Sequence, residues 1–393
     1  MAFSLGRTTR GLLTRRTMTM ALGAIAAGMT GQRAAVAQQS DCGAPAEIGD
    51  GWRIAKPGDV GIEGARLCAM TGWLDGFAAG NIHSILVARH GALAFEHYRK
   101  GFDQTWDQPV AIAEHGPDTK HDLRSATKSV TALLIGIALD RKLIPSIDEP
   151  VFSYFPEYAD LRTAEKARIT LRHLLMMSSG LEWDENLPYT DPNNSEMAML
   201  RSGERWRFAL LPRLVAAPGS EWNYSGGCSE LLGAVVRKAS GKPIEEFANA
   251  TLFSQLGISD VGWGRYPDNI PAAASGLQLR SRDFTKIGQL VLQRGLWEGK
   301  QVVSPQWIDD ATAPQIGLSD RIWFYGYQWW LGRSLVNRRE ISWIAAHGLG
   351  GQRLFVVPAL DLVCLVTAGH YTDAMQNWLP LLIFNRDVLP AVA

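Results

Sequence analysis

The 393-residue chain has no excess of charge of either sign, few cysteines and no long hydrophobic run. No apolar segment reaches the roughly 18 residues that a membrane-crossing helix needs, so no membrane anchor is expected. Lys plus Arg and Asp plus Glu stand at 39 each, which removes the basic surface that nucleic-acid binding demands. Hydrophobic residues make up 46% and charged residues 20%, the balance of a globular chain rather than a disordered or fibrous one. There is no internal repeat and no low-complexity linker. Gly-x-Ser-x-Gly and the phosphate-binding Gly-Lys-Ser/Thr loop are missing. None of the eight histidines stands in a His-Glu-x-x-His pattern, and no Cys-x-x-Cys occurs. Neither a metal nor a cofactor is therefore expected.

The N-terminus is rich in signals. Arg15-Arg16 precedes an apolar run from Met18 to Met29, and Ala35-Val36-Ala37 has the small-x-small form that signal peptidases cut. Residues 1–37 read as a signal peptide of the twin-arginine type, which predicts a periplasmic or secreted protein exported in its folded state. Its removal takes away five arginines and no acid, leaving a mildly acidic mature chain. In an oxidising compartment Cys42 and Cys68, both in the N-terminal segment, are the expected disulfide pair, with unpaired buried thiols as the alternative.

Residues 84–89 and 92–98 flank His90-Gly91 and read as a β-hairpin. From Ser125 the apolar spacing turns helical, and Val130, Leu133, Leu134 and Ile137 predict a helix buried on one face that ends before Pro145. Further helices are expected over 169–177, 210–216, 229–239 and 244–256. Segments 323–331, 342–346, 353–357 and 362–368 are β-branched and aromatic and predict strands, and a helix over 378–389 closes the chain. The fold class is α/β plus all-α. A discontinuous α/β domain, 48–124 with 276–393, carries an inserted helical domain, 125–275, and the cleft between them is the expected site.

Three motifs carry chemistry. Ser125-Ala126-Thr127-Lys128 is a Ser-x-x-Lys at a helix start, where three residues make nearly one turn and bring the amine beside the hydroxyl. A serine hydroxyl needs a base, and burial would lower the lysine pKa enough to supply one. The plainer alternative is Ser125 as a helix cap with Lys128 in solvent. Tyr224-Ser225-Gly226-Gly227, before a second helix, offers a phenol that could relay a proton or simply pack under a glycine turn. Ala346-His347-Gly348-Leu349, after an apolar strand, offers a main-chain N–H that can join the Ser125 N–H as an oxyanion hole. His347 could also be read as a triad histidine or a metal ligand.

In this order the motifs resemble the serine β-lactamase and penicillin-binding-protein superfamily, with its Ser-x-x-Lys, Tyr-x-Asn and Lys-Thr-Gly. The chain is most similar to the class C-like hydrolases, which include esterases and 6-aminohexanoate-dimer hydrolases. Residues 121–130, 169–175, Ser179-Gly180-Leu181, Gly276-Leu277, Arg282-Asp283, 325–330 and Gly350-Gly351-Gln352 carry the resemblance, which runs from His83 to Tyr371. It implies a β-lactamase/transpeptidase-like fold, an antiparallel sheet flanked by helices. It also implies Ser125 as acylated nucleophile, Lys128 as base and Tyr224 as proton relay, with Ser125 and Leu349 N–H groups at the oxyanion and Gly348 and His347 beside them.

Two departures bear on substrate. Gly226 replaces the Asn of the second motif, and Ala346-His347-Gly348 replaces Lys-Thr-Gly, removing the cation that meets a β-lactam or peptide carboxylate. The reading that follows is an exported serine hydrolase acting on small carboxylic esters or linear amides. A β-lactamase or D-Ala-D-Ala carboxypeptidase and a non-catalytic sensor are the alternatives. The acidic, aromatic segment 182–195 is expected either as a lid, with Asp184 or Asp191 meeting a substrate ammonium, or as a solvated loop. Trp323, Trp329 and Trp330 are candidates for pocket lining or for core.

Overall fold

The computed structural model describes residues 42–106, 108–318 and 322–392; the signal-peptide reading of 1–37 lies outside them. Six long strands form the frame: β1 (Ile82–Arg89), β2 (Ala92–Tyr98), β3 (Trp330–Val336), β4 (Arg339–Gly348), β5 (Gln352–Val357) and β6 (Leu362–Ala368). Their order in the sheet is β2-β1-β6-β5-β4-β3. All these pairs are antiparallel, and a short strand, Arg53–Ile54, adds the single parallel pairing at the β2 edge. β5 and β6 are buried along their whole length. Helices cover both faces there, which is why these strands read as unbroken apolar runs.

Helix α1 (Gly64–Gly76) and α5 (Met375–Ile383) cover one face with α5 on β5 and β6, and α4 (Ser281–Leu292) crosses the other. In the helical middle of the chain α2 (Thr127–Asp140) and α3 (Gly226–Ser240) pack on each other, and α2 also meets β4. The sequence predicts α2 buried on one face. Every residue from Thr127 to Ala138 is buried, because sheet, α3 and the following loops enclose it, the condition under which a helix is apolar all round.

The expected helix at 210–216 is not formed. The helix here is Arg205–Leu210, and Leu214 bridges to Leu181 in extended form. Leu211 still has helical backbone angles, and Pro212, which has no N–H for the next turn, ends the helix there. The predicted strand over 323–331 is broken in two, Phe324–Tyr325 and β3. Gln328 between them takes a left-handed φ of 63° and turns inward, its amide bonding Leu174 O and Leu175 O at 3.0 Å and accepting from Ser229 at 2.6 Å. Cys42 and Cys68 form a disulfide with Cα atoms 5.6 Å apart, tying the first described residues to α1. Cys228 and Cys364 are buried free thiols.

Candidate active site

Ser125 lies in a 3-10 turn, Arg124–Ala126, that feeds directly into α2. Arg124 holds a left-handed φ of 49°, a strained backbone of the kind found where the chain must present a reactive group. Its N–H donates to Asp122 Oδ1 at 3.2 Å and its guanidinium to Gln104 O at 2.6 Å, which hold the turn. One helical turn on, Lys128 Nζ stands 3.1 Å from Ser125 Oγ and donates to Ala274 O at 3.0 Å. The lysine is buried, so the solvated alternative does not hold. Tyr224, just before α3, bonds Ser125 and places its ring 5.0 Å from the Lys128 amine.

The third motif arrives on the end of β4. Its Gly348 must be glycine: a Cβ there would collide with the carbonyl oxygen of Leu123. That close approach sets Leu349, the first residue past β4, beside Ser125. The two line one cleft of about 370 Å³ together with Tyr224, Trp330, His347 and Arg353. A roomier groove, about 560 Å³, runs past Phe324, Arg333 and Ser342 but contains no motif residue.

Residues 83–375 match the family model described as Beta-lactamase. The chain belongs to the β-lactamase family. Among relatives, the 6-aminohexanoate-dimer hydrolase of Paenarthrobacter ureafaciens is 24% identical over 323 residues, 75% of this chain and 74% of that protein. Esterase EstB of Burkholderia gladioli is 30% identical over 186 residues, 45% of this chain and 46% of the esterase. The octameric penicillin-binding protein homologue of Pyrococcus abyssi shares the fold, with a TM-score of 0.60 at 19% identity over 81% of this chain and 79% of that one. The protein is a serine hydrolase of the β-lactamase family.

Not every motif that marks the β-lactamase family does chemistry here. Arg282, far from Ser125 in sequence, is a buried anchor that bonds Glu96 at 2.6 and 2.8 Å and Asp50 at 3.2 Å.

Around Lys128 the hydrolase builds an acidic enclosure that sequence reasoning missed. Glu185 accepts from Gly226 N at 2.7 Å and Trp183 Nε1 at 2.9 Å. A Cβ at position 226 would meet Glu196 Oε1 at 3.2 Å and Glu185 Oε2 at 3.3 Å, so the missing second-motif side chain leaves room for a carboxyl pair. Glu230 accepts from Ala274 N at 2.9 Å and pairs with Arg205 at 3.2 Å. Ala274 thus touches Lys128 with its carbonyl and Glu230 with its amide.

The expected lowering of the Lys128 pKa is reversed. Burial favours the neutral amine, but Tyr224, Glu185 and Glu196 outweigh it and hold the ammonium above its ordinary range. The Tyr224 phenol is also raised, by burial above all, with Lys128 only partly offsetting it. Burial and then Glu185 push Glu196 up to about 8, so it keeps its proton at neutral pH.

Segment 182–195 does reach the cleft, through Tyr189. Asp184 and Asp191 are not among the lining residues: their carboxylates accept from Asn186 N at 3.0 Å and Asn193 N at 2.8 Å, which closes two local turns. Trp330 and Trp323 line the cleft, whereas Trp329 is wholly buried core. His347 stacks on Trp330 at 4.9 Å, and its buried Nε2 has no hydrogen-bond partner. Burial, then Arg353, drive its pKa well down, leaving a neutral imidazole facing the cleft.

Arg353 pairs with His347 across β4 and β5 and was not singled out from sequence, where nothing marks it within an apolar strand. It donates to Gly348 O and Gln352 O at 2.9 Å and Gln376 O at 3.0 Å. Among the described residues no carboxylate lies within ion-pair distance of it. Burial pulls its guanidinium down to about 10. Among the described residues, one group outside the cleft could hold a metal: His83, Asp103, His115 and His121.

Proposed function

We propose that this chain is an exported esterase or amidase that cleaves small carboxylic esters or linear amides through an acyl-enzyme on Ser125. The reading is carried by the 3.1 Å contact between Ser125 Oγ and Lys128 Nζ, with Tyr224 on the same hydroxyl at the mouth of an aromatic cleft. Ser125 Oγ attacks the substrate carbonyl carbon while its proton passes into the Lys128–Tyr224 pair. The developing oxyanion is met by the Ser125 and Leu349 N–H groups. The proton then goes to the leaving alcohol or amine as its bond to carbon breaks, and water hydrolyses the acyl-enzyme with release of the acid. Lys128 and Tyr224 both rest protonated, so one proton must leave before the pair can accept another. Turnover is therefore expected to rise with pH through the neutral range into the alkaline.

Arg353 favours substrates that carry a carboxylate. It places a cation in the cleft where the third motif has lost its lysine, and Arg is suited to planar carboxylate recognition. The 6-aminohexanoate dimer hydrolysed by the Paenarthrobacter relative is a linear amide with a free carboxylate, the chemistry this cleft suits. Export is supported by Arg15-Arg16, by Ala35-Val36-Ala37 and by the Cys42–Cys68 disulfide, a bond that persists in oxidising compartments.

Intact mass after treatment with a fluorophosphonate tests the nucleophile. A single adduct is expected on the wild type and none on Ser125→Ala, with kcat/KM on a p-nitrophenyl ester falling at least ~10³-fold. Full turnover by Ser125→Ala would overturn the proposal, and adduct without multiple turnover would favour the sensor alternative.

A further inference from the structure

Four side chains with metal-ligating atoms meet under the strand that leads into Ser125. His83 comes from β1, Asp103 ends the short strand Gly101–Asp103, His115 follows Ala111–Ala113, and His121 is central in Lys120–Asp122. One ligand atom from each lies within 4.8 Å of every other. The side chains are 0 to 6% exposed.

Hydrogen bonding fixes which ring nitrogens face inward. His83 Nε2 lies 3.0 Å from Phe102 O and His121 Nδ1 lies 3.0 Å from Asp122 O. A carbonyl oxygen can only accept, so those two nitrogens carry the hydrogens. In neutral rings the lone pairs are then on His83 Nδ1 and His121 Nε2, and these two atoms face each other at 2.8 Å. Two lone pairs cannot bond each other; a cation has to lie between them. His115 Nε2, buried and without a partner, closes the group from the side at 3.8 Å from Asp103 Oδ2. Asp103 Oδ1, which accepts from Tyr371 at 2.5 Å and Gln104 N at 2.8 Å, is also the oxygen 3.8 Å from His83 Nδ1 and His121 Nε2, while Oδ2 faces His115. Backbone carbonyls behind two imidazoles and a phenol behind the carboxylate form the outer layer that a metal site requires.

The cation could be a proton or a metal ion. Burial disfavours a lone charged imidazolium, while neutral imidazoles and an ionised carboxylate are the forms that bind metal. Gly101 and Gly369 leave space for the His83 ring: a Cβ at either would come within 2.8 Å of it.

We propose that His83, Asp103, His115 and His121 form a structural zinc site. Three imidazoles and one carboxylate are borderline ligands that suit Zn²⁺ in tetrahedral coordination, and four protein ligands leave no position for substrate. Bonds of about 2.1 Å require ligand atoms about 3.4 Å apart, so the widest pair closes by about 1.4 Å on binding. The ion would brace the turn that presents Ser125. His121 is four residues upstream of it, and Tyr371, which holds Asp103, lies under the Arg124 guanidinium at 5.0 Å.

The test is the metal content of the chain purified from zinc-supplemented culture, measured by mass spectrometry after gel filtration. About one zinc per chain is expected, with a rise in melting temperature over chelator-treated protein and, on cobalt exchange, the intense visible bands of a four-coordinate ion. His115→Gln should lose most of the zinc yet melt with the chelated wild type, since His115 Nε2 has no bond to lose. Wild-type protein that holds less than about a tenth of an equivalent after zinc reconstitution would overturn the site and leave the proton as the bridging cation. Retention of full zinc by His115→Gln would overturn the ligand set. Should His115→Gln fail to fold, the wild-type stoichiometry and cobalt spectrum decide alone.

Discussion

The two buried polar clusters on either side of the Ser125 turn handle burial in opposite ways. Around Lys128 the chain supplies its own cation, and Glu185, Glu196, Glu230 and Tyr224 surround it with acceptors and shared protons. Around His83 the chain supplies acceptors facing one another with no cation of its own. The first cluster holds its own cation, as the proposed proton relay requires; the second lacks one, as the proposed zinc site requires. Net charge of the enclosed side chains, more than their number, separates the two.

The strongest way to break this contrast is to remove the internal cation. Lys128→Ala removes the cation from beside Glu185 and Glu196 while Glu230 keeps Arg205, and should cost about 3 to 5 kcal/mol in urea unfolding while abolishing the fluorophosphonate adduct. Unchanged stability would mean that the acidic enclosure needs no cation and that the two clusters are alike.

A smaller effect is expected at Arg353. Losing one charged hydrogen bond is worth about 1.5 to 3 kcal/mol, so Arg353→Gln should raise KM for a carboxylate-bearing ester by ~10- to 100-fold, leaving a neutral ester within ~3-fold. Equal losses on both esters would reduce Arg353 to a brace for Gly348 and Gln352.

The finest test reads the shared protons. Glu196 is protonated up to about pH 8 in the fold but only to about 4.5 when unfolded. The native state therefore binds more protons between those values, and stability conferred below pH 4.5 is lost as pH rises to about 8. The slope is at most ~1.4 kcal/mol per pH unit. Glu196→Gln, which mimics the protonated acid, should flatten that decline in melts across pH; an unchanged slope would locate the proton elsewhere.

How far the sequence foretold these clusters follows from how they are assembled. Ser125 and Lys128 stand one helical turn apart, so their contact is written in local spacing, and the central strands β5 and β6 are legible because both their faces are covered. The histidine cluster draws on three separate strands and a loop, and no short pattern encodes it. Glu196 and Arg353 sit in segments whose apolar neighbours hide them. Asp184 and Asp191 were candidates by charge alone, and each is spent on its own turn. The lysine pKa went the other way because burial was visible in the sequence and the carboxyls around it were not.

The two motif glycines differ in what they would permit under mutation. Position 348 is closed, since any side chain there pushes β4 off the Leu123 carbonyl and with it the Leu349 N–H. Position 226 meets only the tips of Glu185 and Glu196 at 3.2 to 3.3 Å, flexible ends that can yield. For an experimenter or for natural drift, single steps at 226 are open, while 348 stays fixed for as long as the turn that carries Ser125 packs against β4.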